Sequence, residues 1–448
     1  MTEADLRAVA PALILAASAV VTALLGIPIK SGARALAWLG AVASLGAVAA
    51  AVAIGLSSGD ETGFGGTIAR DGASLFFVTL IGTTAAALLL LSSAGPRRSR
   101  RSADEVALVL FSASGGALVV SAADLLVLFV GLALLTLPLY VLTGRRSAPR
   151  GDDRGSRHVL LGAASTAAAF YGIALLYAAT GETGYAGVGR ATHNPLYLAG
   201  LALVLAGLVS HVVLAPAHRW TILVNVATIG ALLRLAAATR SGEAALDWEV
   251  SLATLAALAL AIAAVASLAE RRVRWLVAYA AISQLGYVAV AAAASAVPGA
   301  AFAMAAYVVV AVGLFGVLAI LPQEEPVLSD LAGLARRRPL LVLGLGVVVL
   351  GLIGMPPTAG FLAKLYVYEA AVRAQLLWLV ALGALATVAS VAPYVRLVLA
   401  CFGPPRLDAV APPRARLGTA LVLIVAIAIV VAGVAPGPAL DVAQTVRF

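Results

Sequence analysis

Charge is what this 448-residue sequence has least of: 11% of its residues are Asp, Glu, Lys or Arg, against 62% hydrophobic. A soluble domain carries about a quarter charged residues. One aqueous core could not hide this much apolar surface, so lipid must cover much of it. Cysteine occurs once, at Cys401, which excludes a disulfide framework and any cysteine-rich metal or iron–sulfur site. The four histidines, His158, His193, His211 and His218, are scattered rather than spaced as metal ligands. There is no GxxxxGK[ST] phosphate loop, no HExxH, no GxSxG elbow and no CxxC pair, so most enzyme classes fail at the first test. No cleavable leader is expected: Glu3 and Asp5 precede the first apolar run, and no small-residue cleavage motif follows it. The longest hydrophilic loops reach about 15 residues, too few for a soluble domain. Any chemistry should be transport, carried by the few polar groups at membrane depth.

What the sequence does have is apolar runs long enough to cross about 30 Å of hydrocarbon. They fall near 8–27, 35–57, 73–94, 106–122, 125–143, 158–180, 195–217, 221–238, 249–269, 275–296, 300–321, 340–372, 376–401 and 417–435. The fold class expected is an all-α polytopic membrane protein of about fourteen transmembrane helices. The softest boundary is Ala122–Asp124, between the fourth and fifth runs. Forty-three glycines suit close helix packing.

Basic residues check the count independently. Loops of odd number hold Lys30 and Arg34, the four arginines of 97–101, the five of 145–157, Arg219, Arg271, Arg272, Arg274, Arg336–Arg338, Arg406, Arg414 and Arg416, together 21 of the 30 Lys and Arg. Even loops and termini hold six: Arg7, Arg70, Arg190, Arg240, Arg373 and Arg447. Arg234, Lys364 and Arg396 fall inside helices. One missed span would scramble this asymmetry downstream. The positive-inside rule then puts odd loops in the cytoplasm of a cell-membrane protein and both termini outside. The net charge of +9 reflects that topology, and no basic soluble face exists for nucleic acid.

Residues 340–372 are the most informative stretch. An unbroken helix of that length would be about 50 Å long, more than a bilayer needs. Met355, Pro356 and Pro357 sit in its middle, and adjacent prolines remove backbone donors and clash with the preceding turn. A discontinuous helix is expected, its free carbonyls lining a polar cavity or buried in protein. Lys364 follows among Ala, Leu, Phe, Tyr and Val. It is either a lysine snorkelling to the interface beside Tyr366 and Tyr368 or a protonatable group on a water path. A second interrupted helix ends the seventh run, where Pro216 follows His211. This histidine is a proton relay or a core histidine bonded to a carbonyl. Interrupted helices in corresponding positions point to inverted repeats, spans 4–8 and 9–13. The corresponding segments are 1–105 (three helices), 106–240 (first repeat), 248–402 (second repeat) and 403–448 (last helix and tail).

These residues also carry a family resemblance. LSDLAGLARRRPLL followed by LGLIGMPPTAGFLAKLYVY is similar to the hallmark of the N-type antiporter-like subunits of complex I, the proton-pumping NADH:quinone oxidoreductase. RRVRWLVAYAAISQLGYVAVA and AAYVVVAVGLFGVLAIL resemble their tenth and eleventh helices, and LFVGLALLTLPLYVL and RHVLLGAASTAAAFYGIALLYAATG their fifth and sixth. The resemblance implies fourteen helices in two inverted five-helix repeats, with no cofactor in this chain. NADH and quinone would be used by partner subunits of the membrane arm and its attached enzyme. Residue by residue, it puts Lys364 at the lysine of the distal half-channel, Arg157 at the sixth-helix lysine and His211 at the central lysine of the broken seventh helix. The paired glutamate falls on Ala133, the eighth-helix lysine near Asn225, and the DVYxGAP-like loop is missing between Trp220 and Val226. Gln284 and Glu369 are possible auxiliary groups. The first half of the usual path is thus degraded, while the second keeps its lysine. Alternatives are a D-type subunit of a multisubunit cation/proton antiporter or membrane hydrogenase, and a non-conducting structural subunit, which Ala133 favours.

Overall fold

The computed structural model describes residues 2–27, 33–57, 59–94, 103–147, 154–190, 194–214, 219–239, 244–321, 325–404 and 416–447. Nearly all of them are helical. The early helices are α1 (Glu3–Gly26), α2 (Ala33–Ser57), α3 (Gly72–Ala94), α4 (Ala103–Ser121), α5 (Leu125–Ser147), α6 (Arg154–Thr180), the short α7 (Tyr185–Val188), α8 (Pro195–Leu214) and α9 (Thr221–Thr239). The later ones are α10 (Ala244–Ala269), α11 (Val273–Ala293), α12 (Val297–Ile320), α13 (Leu334–Arg337), α14 (Pro339–Ile353), α15 (Ala359–Arg373), α16 (Leu377–Ala400), α17 (Arg416–Val434) and α18 (Gly437–Gln444). Among the described residues, 12 helices are long and apolar enough to cross a membrane, and α8 and α14 are shorter apolar helices. The protein is a multi-pass membrane protein. Large side chains such as Leu56, Val265 and Val388 stand exposed, as lipid-facing surface should.

The chain packs as two units, one of Met1–Leu89, Arg101–Trp248 and Thr445–Phe448, the other of Leu90–Arg100 and Glu249–Gln444. In the first, α4 lies against α1, α5 and α9, and α6 lies along α8. In the second, α12 packs on α11, α14, α15 and α17, and α16 on α14.

One element departs from the all-helical expectation. Glu61–Gly63 and Ile68–Arg70 form a two-stranded antiparallel hairpin, β1 and β2. Phe64, Gly65 and Gly66 turn it, all with positive φ, and two of those three positions carry glycine, the residue without a Cβ penalty there. Strands of three residues leave no alternating pattern long enough to detect. The hairpin continues into neighbouring loops: Ile68 bridges Ala122, Asp124 bridges Gly184, and Ala123 N–H donates to Thr67 O at 2.9 Å. The soft boundary at Ala122–Asp124 is therefore pinned on both sides.

Arg234, unexplained inside a helix by sequence, is buried and bidentate to Asp71 at 2.7 Å for both contacts. Its Nε also donates to Val120 O, 2.9 Å away. Asp71 precedes α3, so the pair joins the start of α3, the end of α4 and α9. Breaking such a buried pair typically costs about 3–5 kcal/mol. Arg396 donates to Leu268 O and Glu270 O at the turn between α10 and α11. In that turn the Arg272 guanidinium, hydrogen-bonded to Glu270, holds its carboxyl below the usual carboxylate range.

Candidate functional site

The second unit builds its site around a broken helix. Helix α14 stops at Ile353 because Gly354 turns left-handed at φ 84°, a conformation that penalises any side chain. Met355, Pro356 and Pro357 carry the chain across, with a cis bond between the prolines. Thr358 starts α15, its hydroxyl accepting from Phe361 N–H and donating to Met355 O.

A helix end leaves carbonyls without partners, and at membrane depth each must be met inside the protein. Leu350 O accepts from the N–H groups of Gly354 and Met355. Leu352 O accepts from Gln284 Nε2 on α11 at 2.9 Å, and Ile353 O from Lys364 Nζ at 2.8 Å. The lysine thus closes the helix break from which it is separated by one turn and a half of α15. It sits at the negative end of the α14 dipole, where a cation is favoured. Lys364 is 6% exposed, so it does not snorkel.

Three further groups surround the ammonium. The Tyr287 ring lies beneath it, with Nζ 4.7 Å from the centroid, a cation–π distance. Thr387 Oγ1 on α16 is 3.4 Å away. Tyr287 Oη and Tyr368 Oη lie 2.6 and 3.3 Å from that same Thr387 oxygen. Among the described residues no carboxylate forms an ion pair with Lys364. Its charge is met by a carbonyl, a hydroxyl and a ring, all neutral.

The first unit places His211 in the last turn of α8, buried against α6. The helices approach closely because Gly207 faces Ala169; a Cβ on Gly207 would lie 2.6 Å from Ala169 N. His211 Nδ1 is 2.6 Å from Gly207 O, and Nε2 is 3.0 Å from Thr166 Oγ1 and 3.3 Å from Tyr140 Oη. A carbonyl only accepts, so Nδ1 carries the proton and Nε2 accepts from a hydroxyl. It is a core histidine on a carbonyl, and its other nitrogen meets a hydroxyl pair.

The remaining sequence candidates divide. Gln284 joins the Lys364 site through the α14 carbonyls. Glu369 does not: its carboxylate accepts from Arg373 at 2.6 Å and is half exposed. Five positions along a helix turn it to a different face from Lys364. Asn225 is buried in α9. The Arg157 side chain and Pro216 lie outside the described residues. Ala133 is half-buried in α5 and brings no charge. Sequence reasoning missed Tyr140, Thr166, Tyr287 and Thr387, and set Tyr368 at the interface rather than in the site. Lone hydroxyls in apolar helices usually bond their own preceding turn and give no signal of a shared site.

Comparison with known proteins agrees with this architecture. Residues 122–390 match the family described as NADH:quinone oxidoreductase/Mrp antiporter, transmembrane. The chain is 32% identical over 311 residues to NADH-quinone oxidoreductase subunit N of Trichlorobacter lovleyi, covering 63% of this chain and 64% of that one. Against subunit N of Geobacter metallireducens it is 34% identical over 349 residues, covering 73% and 75%. The match thus spans just under two thirds of the first relative's length and three quarters of the second's. A chain of respiratory complex I from Thermus thermophilus with bound aureothin superposes with a TM-score of 0.80 at 29% identity, covering 96% of this chain and 98% of that one. With its buried lysine at a broken helix, the chain belongs to the antiporter-like transmembrane family of NADH:quinone oxidoreductases and Mrp antiporters, among the subunit N members.

Proposed function

We propose that the chain is an N-type membrane subunit of a complex I-like NADH:quinone oxidoreductase and contributes to proton translocation coupled to quinone reduction. It carries out no redox step: NADH and quinone are handled by partner subunits, and this chain needs no cofactor of its own. The observation that carries the reading is Lys364, buried at the helix break without a carboxylate partner among the described residues. A lone ammonium at membrane depth costs several kcal/mol unless hydrated or matched, and such groups mark ion paths. Held by acceptors alone, it can release a proton without leaving a stranded counter-charge. In the first half, His211 with Thr166 and Tyr140 replaces the charged pair that the family resemblance leads one to expect. Arg157 is a poor proton carrier and serves better as an electrostatic gate. Ala133 supports a second reading, a non-conducting structural subunit that preserves the contacts of the membrane arm.

The split of basic residues between loops supports a topology of fourteen spans in a bacterial plasma membrane, α14 and α15 counting as one, with spans 4–8 and 9–13 as inverted repeats and both termini outside. Introduced cysteines test this. Residues in the 145–157 loop should resist labelling from outside intact cells and label once the membrane is opened. Outside labelling of that loop would reverse the topology. Partner identity is tested by purifying the tagged chain in mild detergent. It should bring down an assembly that oxidises NADH and reduces quinone. An assembly with cation/proton exchange and no quinone reduction would assign the chain to the antiporter branch instead.

A further inference from the structure

We propose that Thr387 is the proton switch of the Lys364 site, passing protons from the lysine to Tyr368 and onward; this rests on the reading of Lys364 as a proton carrier. Donors and acceptors around the lysine pair off in one way. As an ammonium, Lys364 has three protons, one given to Ile353 O. Tyr287 has a single hydroxyl proton, given to Gly383 O at 2.8 Å. The 2.6 Å contact between Tyr287 and Thr387 then needs the Thr387 proton. That leaves the Thr387 lone pairs to accept from Lys364 and from Tyr368. Every contact has one donor and one acceptor, so the network is complete with the lysine charged.

A neutral lysine changes the count. Its nitrogen gains a lone pair that needs a donor, while a carbonyl and a ring face can only accept. Among the described residues, Thr387 is the hydroxyl hydrogen-bonded to Nζ. Its hydroxyl rotates from Tyr287 to Tyr368 while the Tyr368 hydroxyl turns from Thr387 to water, and a concerted shift follows. One proton moves from Nζ to Thr387 Oγ1, the Thr387 proton moves to Tyr368 Oη, and the Tyr368 proton leaves to water. Each hydroxyl ends neutral with one proton, the lysine is neutral, and the proton now on Thr387 points back at the Nζ lone pair. One proton enters the relay, one leaves, and no electron moves. Tyr368 is half-buried, one helical turn beyond Lys364 toward the Arg373 end of α15, so the relay climbs out of the core. Gly383 makes room for it: a Cβ there would meet Tyr368 Oη at 3.2 Å and the Tyr287 ring at 3.3 Å.

The test uses the assembled complex in proteoliposomes, with protons moved per electron pair and the coupled rate as readouts. Thr387→Val keeps the shape and removes the hydroxyl; Thr387→Ser keeps the hydroxyl and loses a methyl. The valine variant should lower the coupled rate about a hundredfold, the modest end of what a proton-transfer group contributes. The serine variant should stay near wild type. Equal loss in both variants means a packing role and overturns the proposal. Wild-type pumping by Thr387→Val beside impaired Lys364→Ala also overturns it, while the lysine reading stands. Wild-type pumping by Lys364→Ala overturns the lysine reading itself. If Thr387→Val does not assemble, Tyr368→Phe decides: lost pumping supports the relay, unchanged pumping ends it.

Discussion

Gly360→Val should nearly abolish accumulation of the folded protein in the membrane. Helix α15 starts so close to α14 that a Cβ on Gly360 would lie 1.8 Å from Gly351 O and 2.8 Å from its carbonyl carbon. The obstacle is backbone, which no rotamer change can move aside. Ordinary overpacking costs about 1–3 kcal/mol, and this overlap should exceed that range because both helices must separate. Separation would also pull Lys364 from Ile353 O and leave helix-end carbonyls unmet. The control is Gly346→Ala on α14, where no atom lies within 4 Å of the added Cβ. Exchanging a helical glycine for alanine there should be neutral or stabilising by about 0.5–1 kcal/mol. Thermal unfolding of the purified complexes, with the amount of chain recovered from membranes, measures both. Wild-type recovery of Gly360→Val would mean that α14 and α15 are not in contact at that point.

The broken helix was legible because two independent signals coincided: an apolar run too long for one crossing, and Met355-Pro356-Pro357 in its middle. Gly354 was one of 43 glycines and could not be singled out, although it is the residue that ends α14. The lysine was visible as a charge among apolar neighbours. Its partners were not, since Ile353 O is a backbone atom and Thr387 comes from a different helix. The same limit hid the Asp71–Arg234 pair, whose members are 163 positions apart. In the first half, reading stopped at the missing glutamate. What replaces it is a hydroxyl pair, Tyr140 and Thr166, on two helices that meet His211 only in the fold. Glu369 shows the opposite case: a charge in the same apolar run as Lys364 invited a role, but Arg373 on the same helix already pairs with it. Hydropathy and proline therefore placed the elements, while pairing of polar side chains across helices was beyond any linear pattern.

The claim that the second half carries protons through Lys364 is tested most directly by one comparison in the reconstituted, assembled complex. Protons moved per electron pair are measured for wild type, Lys364→Ala and His211→Ala, with assembly checked for each. The lysine substitution removes the titratable group and the donor to Ile353 O together. The histidine substitution removes an acceptor from a hydroxyl pair that still bonds internally, Tyr140 Oη to Thr166 Oγ1 at 3.0 Å. Lys364→Ala should therefore lower the coupled rate by about a hundredfold or more, and His211→Ala by less. Normal turnover and pumping in Lys364→Ala with normal assembly would contradict the account, leaving a structural subunit. A greater loss in His211→Ala would reverse the ranking and make the first half the conducting one.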